Sequence, residues 1–272
     1  MKKTFTLIIL PIFFIGIVGI TSCKNKGNKE QKKIELEQID TLKSQIEENV
    51  YPLPTSAAVI KMLTDLEVGY IFGISNPVEN TKKYFKSDSK AINIGVFGAD
   101  LSYATLYNIP QSVLDYLEAI RSLTIELNMS KIYDQTWYDR IKVNSDNKDE
   151  LVKILTEAFD KTYKYLTDND QQALALLVVG GAWVEGMYLT THVSEAAYQV
   201  AGISRNLLEQ KKSFDIYLEI TKPYENDPLV SSFIKKLDPI KAVYAGLETS
   251  LTMKNIMDIT KAIEGIREQI VQ

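Results

Sequence analysis

The chain is 272 residues long, 45% hydrophobic and 24% charged, with a formal net charge of −4. One cysteine and one histidine exclude a disulfide framework and leave too few ligands for a Cys/His zinc site. Seven of the 31 basic residues and one of the 35 acids precede Ile34, so residues 34–272 hold 24 basic and 34 acidic side chains, a net charge of −10 unsuited to nucleic acid.

The first 23 residues read MKKTFTLIILPIFFIGIVGITSC. Lys2 and Lys3 form a positive n-region and Thr4 to Ile20 an uncharged apolar core, which predicts a signal peptide over residues 1–22. Ile20-Thr21-Ser22-Cys23 resembles the lipobox of bacterial lipoprotein precursors, an aliphatic residue and two small ones before the cysteine. The resemblance covers these 23 residues alone. It implies that Cys23 is diacylated on sulfur, becomes the mature N-terminus and is then N-acylated. Acyl chains at about 0.8 kcal/mol per buried CH₂ hold a protein to a membrane without a spanning helix. Lys24 in place of aspartate is compatible with outer-membrane sorting, and the lack of an acidic cluster after Cys23 points to the periplasmic face. KNKGNKEQKK, completing the segment 23–33, has no apolar side chain and reads as a tether.

Residues 34–272 read as one helical domain, poor in glycine and proline. Residues 34–48 are charged and mildly amphipathic, and Tyr51-Pro52-Leu53-Pro54 stops them. Thr55 is placed to cap a helix over 56–67. Asn76-Pro77, with Glu79 behind, has the pattern of an N-cap followed by proline at the first helical position. Val113, Leu114, Leu117, Ile120, Leu123 and Leu127 follow helical spacing over 111–127. Further helices are expected from Asp146 or Asn147 to Leu166, from an Asp170 cap to Thr191, from Ser194 to Lys211, over 229–237, and over 239–271 as one or two pieces.

Two apolar runs, GYIFGIS (69–75) and INIGVFG (92–98), are short enough to be buried strands. GVFGAD also hints at a dinucleotide turn, but it lacks the third glycine of GxGxxG and the surrounding strand–helix alternation. A second stretch bears on this choice. Gly95, Asp100, Tyr103 and Thr105 are matched 85 residues later by Gly180, Glu185, Tyr188 and Thr190, and IKMLTD (60–65) resembles VKILTE (152–157). The echo predicts an internal duplication, with units over 55–145 and 147–225 before a C-terminal helical segment. Residues 173–191 are apolar on every side and read as a central core helix. If residues 93–105 are their counterpart, these too form a buried helix, with glycines serving close helix–helix approach.

On such helices Asp100 shares a face with Tyr103, and Glu185 with Tyr188; His192 follows two turns along the stripe of Glu185. Two acids meeting between the units would raise one pKa, which suits cation or ligand binding or acid–base work. Equally, each acid can be a structural residue, satisfied by a tyrosine hydroxyl, a basic side chain or a backbone N–H. Trp137, Tyr138, Tyr163, Tyr165, Trp183 and Tyr198 could line a groove, but their helical setting favours packing. No Walker A, HExxH, EF-hand or nucleophile-elbow pattern occurs. No cofactor or metal is expected, and catalytic residues are not identified. The leading expectation is an all-α, lipid-anchored, non-catalytic binding or scaffold protein with a partner in the cell envelope. A small-ligand or cation binder using Asp100 and Glu185 is the second reading, and an acid-dependent envelope hydrolase the third.

Overall fold

The computed structural model describes residues 69–129, 134–195, 201–247 and 250–272. Among these residues the chain is helical without strands, the expected all-α bundle. The helices are α1 (Ser87–Leu106), α2 (Pro110–Glu126), α3 (Gln135–Val143), α4 (Lys148–Asp168), α5 (Gln172–Glu195), α6 (Ala201–Thr221), α7 (Pro228–Lys236), α8 (Asp238–Ala245) and α9 (Met253–Val271). Short 3-10 turns occupy Val78–Lys83 and Lys222–Tyr224. The leader, Cys23, the tether, the helices expected over 34–48 and 56–67, and Tyr198 lie outside the described residues.

α1 and α5 form the centre. α2 and α4 pack on α1; α4, α6, α7 and α9 pack on α5, and α9 also reaches α1. The glycines set the spacing of the central pair. A Cβ added at Gly95 would lie 2.0 Å from the Val178 carbonyl oxygen and 2.6 Å from the Ala182 nitrogen. One added at Gly181 would lie 2.1 Å from the Ile92 carbonyl oxygen. Backbone therefore rests on backbone, a contact that any larger residue forbids. Ile92 meets Gly181, and Gly95 meets Val178 and Ala182, while further along Asp100 reaches Glu185. α9 runs against both helices, with Ile270 at Asn93 and Arg267 near Asp100 on α1, and Arg267 at Glu185 and Glu264 at His192 on α5, so α1 and α5 run side by side in the same direction.

The run 92–98 is thus the interior of a buried helix, as the echo predicts, and neither a strand nor a dinucleotide turn. The other run, 69–75, is neither strand nor helix; it crosses the fold irregularly with Gly73 at φ 81°. Gln172–His192 is long and apolar enough to cross a bilayer, at a mean hydropathy of 1.5, yet most of it is buried within the bundle.

Helix ends follow side-chain chemistry more than glycine. Asn108, Asn128 and Asp170 adopt left-handed conformations at φ 55°, 60° and 56°. At each, the next residue's N–H returns to a carbonyl five residues back: Ile109 to Ala104, Met129 to Thr124, Gln171 to Leu166, at 2.8–2.9 Å. These are Schellman ends with Asn or Asp where glycine is commonest. Asp170 accordingly closes α4 and is not the expected cap of α5. Asn147 does cap α4, accepting from the Glu150 N–H, and Asp227 caps α7 through Leu229 and Val230.

Three further expectations are corrected. Asn76-Pro77 opens only a 3-10 turn, because the Asn76 side chain is drawn into the core instead of capping. α5 runs to Glu195, and α6 spans Ala201–Thr221 where Ser194–Lys211 was expected; its apolar stripe resumes past the charged 209–212 stretch with buried Phe214, Tyr217 and Ile220. α3 escaped the periodicity reading; Asp134 caps it, and the buried Trp137 and Ile141 hold it. Trp137, Tyr163 and Trp183 are buried packing residues. Of the echo, residues 60–65 fall outside the described residues.

Gly95→Ala forces α1 and α5 apart and should cost about 1–3 kcal/mol or more in urea denaturation followed by circular dichroism. A Cβ at Gly98 meets nothing within 4 Å. Gly98→Ala should gain up to about 1 kcal/mol from helix propensity alone.

Candidate functional site

The close approach of α1 and α5 carries two carboxyl groups inward. Asp100, on α1, and Glu185, on α5, are both 0% exposed. The sequence predicts their meeting but not the group that completes it. Arg267 of α9 extends its guanidinium to Glu185, Nε donating to Oε2 at 2.7 Å and Nη2 to Oε1 at 2.9 Å. Nη2 also donates to the Ile74 carbonyl at 3.1 Å, tying the irregular 69–75 segment to the same point. This forked pairing is the geometry for which arginine is suited and lysine is not.

Asp100 is less well provided. Its Oδ2 accepts from the Asn76 N–H at 3.1 Å, while Oδ1 has no hydrogen-bond partner. Burial, and next the charge of Glu185, push the Asp100 carboxyl well above the usual carboxylate range; Arg267, the Ser75 hydroxyl and the Asn76 N–H oppose this. Glu185 is also raised by burial, but Arg267 pulls back through its charge and hydrogen bonds, and Asp100 and His192 assist. For Arg267 burial works against the charge, and the two acids more than offset it.

The predicted tyrosines part company. Tyr188 lies against Arg267, with the guanidinium carbon 3.9 Å from its ring centroid, and on its other contact meets the His192 ring at 3.9 Å. His192 Nδ1 donates to the Tyr188 carbonyl at 2.8 Å, and Nε2 lies 3.1 Å from Glu264 Oε1. These contacts run from the buried acids toward the surface, where Glu264 is half-exposed. Tyr103 does not join them. Its hydroxyl accepts from the Ile71 N–H at 3.1 Å, and its ring packs with Tyr70 and Tyr107. Neither acid is satisfied by a tyrosine hydroxyl; a cation and a backbone N–H fill those roles.

A second buried polar group lies beside the first. Asn93 Nδ2 donates to the Ile270 carbonyl at 2.8 Å, and the Tyr84 hydroxyl donates to the Val271 carbonyl at 3.1 Å. Asn76 Nδ2 donates to the Tyr84 oxygen at 3.0 Å. The last carbonyls of α9, which lack helical partners, are thus received by side chains of the core. Sequence reasoning passed over Arg267, Asn76 and Asn93. Arg267 had a signal: it stands four residues past Ile263 and seven past Thr260, on the buried face of an amphipathic helix.

Among the described residues, no group of three or more His, Cys, Asp or Glu is placed to hold a metal ion. No protein-family model, curated protein or solved structure matches the chain.

Removing the cation should leave a buried, uncompensated charge. Arg267→Ala is expected to cost about 3–5 kcal/mol in chemical denaturation. Adding Glu185→Gln should recover more than half of that loss, since the stranded charge is then gone.

Proposed function

We propose that this chain is a lipid-anchored protein of the cell envelope, facing the periplasm from the outer membrane, whose helical body acts as a non-catalytic binding or scaffold element. The anchorage rests on Ile20-Thr21-Ser22-Cys23 standing directly behind an apolar core, with the chain's one cysteine at the position that lipidation requires. Lys24 to Lys33 would then space the body from the bilayer, and the acidic body would be kept off anionic headgroups by its own charge.

The observation that carries the non-catalytic reading is the forked hold of Arg267 on Glu185. Both of its oxygens hold Arg267, and neither acid is exposed. An acid-dependent hydrolase needs one carboxyl reaching substrate and another reaching water or the sugar ring. A cation at this pair would have to displace a bidentate guanidinium. Both alternatives therefore demand a rearrangement, while a structural role demands none. The internal duplication is part of the same proposal, supported by the direct packing of α1 on its echo partner α5.

Fractionation of cells tests the anchorage. The wild-type protein should remain with membranes after high-salt and carbonate washes, and Cys23→Ala should appear in the soluble fraction. Mass spectrometry of the wild-type N-terminal peptide should find an acylated Cys23. Retention of Cys23→Ala on membranes would refute the lipid anchor. Cross-linking of the anchored protein in intact cells, followed by affinity purification, identifies the envelope partner that the scaffold reading requires.

A further inference from the structure

Where α1, α5 and α9 meet, two carboxyl groups share the interior with one guanidinium. Arg267 occupies Glu185 and neutralises one negative charge. Asp100 keeps an oxygen, Oδ1, that is buried and has no hydrogen-bond partner. An ionised Asp100 would leave the cluster with a net buried charge, which a low-dielectric interior strongly disfavours. A proton on Asp100 cancels that charge and turns the idle oxygen into a donor. Glu185 has acceptor capacity left beside the guanidinium, since an ionised carboxylate offers about four lone-pair sites.

We propose that Asp100 and Glu185 share one proton, and that this proton, together with Arg267, neutralises the core where α1, α5 and α9 meet. The stability of the fold is then proton-linked. The groups facing Asp100 come from every element around it: Glu185 and Tyr188 from α5, Arg267 from α9, Tyr116 from α2, Tyr84 beyond the 3-10 turn, and Ser75 and Asn76 before it. Burial raises the three tyrosines above their ordinary range, so they stay neutral where a carboxyl titrates. His192 acts on Glu185 from further out.

The sign of the pH effect follows from the direction of the Asp100 shift. Its folded value is raised, so the stabilisation is fully present below the usual carboxylate range and is lost as pH climbs toward the folded value. Between those limits the folded state holds a proton that the unfolded state has released. Unfolding then becomes about tenfold easier for each pH unit.

Urea denaturation of the full chain, followed by circular dichroism at pH values from 4 to 8, measures that change. The unfolding constant of the wild type should rise relative to that of Asp100→Asn as pH climbs above the usual carboxylate range, approaching tenfold per unit over part of the climb. Asp100→Asn keeps an amide that can donate to Glu185 but removes the Asp100 proton. Glu185, His192 and Glu264 are present in both proteins, so the ratio of the two constants isolates that proton. A ratio that does not change with pH overturns the proposal. If Asp100→Asn does not fold, wild-type protein carrying ¹³C-carboxyl aspartate and glutamate decides the matter. An aspartate or glutamate carboxyl that keeps its proton well above the usual carboxylate range supports the shared proton, and ionisation of every one of them within that range refutes it.

Discussion

Everything in the centre of this protein depends on how closely α1 and α5 lie. With the Val178 and Ile92 carbonyl oxygens 2.0 and 2.1 Å from where side chains would begin at Gly95 and Gly181, the two backbones touch. At that separation there is no room between the helices for a layer of large side chains, and dispersion contacts between backbones take its place. The cost in helix propensity, about 1 kcal/mol per glycine, is offset by this contact. One turn and a half further along, the same closeness leaves Asp100 and Glu185 no way to avoid each other. The acid pair is a consequence of the glycines.

An acid pair inside a core is unstable without help, and that necessity recruits α9. Its isoleucine stripe, Ile256, Ile259, Ile263, Ile266 and Ile270, would pack on any apolar surface. Hydrophobic burial is non-directional and cannot by itself choose a rotation or an axial position. Arg267 can, because its fork must meet Glu185 while Nη2 also meets the Ile74 carbonyl. Asn93 and Tyr84 then receive the last carbonyls of the helix. A buried polar group contributes little net stability compared with an apolar replacement. Here it specifies one docking position, and it binds residues 74–76 to the helix that ends the chain.

Local sequence rules carried much of this fold. Apolar spacing located α2, Asp146 or Asn147 marked the start of α4, and the echo of 180–190 pointed to 93–105 as a buried helix when its composition was ambiguous. What stayed hidden has common causes. Asn108, Asn128 and Asp170 end helices in left-handed conformations that glycine usually fills, so a search for glycine stops misses them. Asn76 has the right neighbours for a cap, but the interior offered its side chain a stronger set of partners. Arg267 lies 82 residues from Glu185 in sequence, and such pairing is fixed by the packing of α9, which no window of local residues contains.

The echo itself turns out to be local in its meaning. Its matched residues are 85 apart, yet the contact of Gly95 with Val178 is the reciprocal of Ile92 with Gly181, in which equivalent positions are 86 apart. One residue is about 100° of turn on a helix, so matched side chains leave the central contact in different directions. Gly180, the sequence partner of Gly95, faces Phe233 and Tyr217 instead of α1. Tyr103 pins Ile71, while Tyr188 lies against Arg267. Thr105 and Thr190 do behave alike, each donating to the carbonyl four residues back at 2.8 and 2.7 Å, because that bond depends only on their own helix. Resemblance thus survives where a residue answers to its own backbone, and fails where it answers to its neighbours. The slip also makes the pair unequal: Glu185 faces the cation of α9, and Asp100 faces a backbone N–H and the proton that balances the charge.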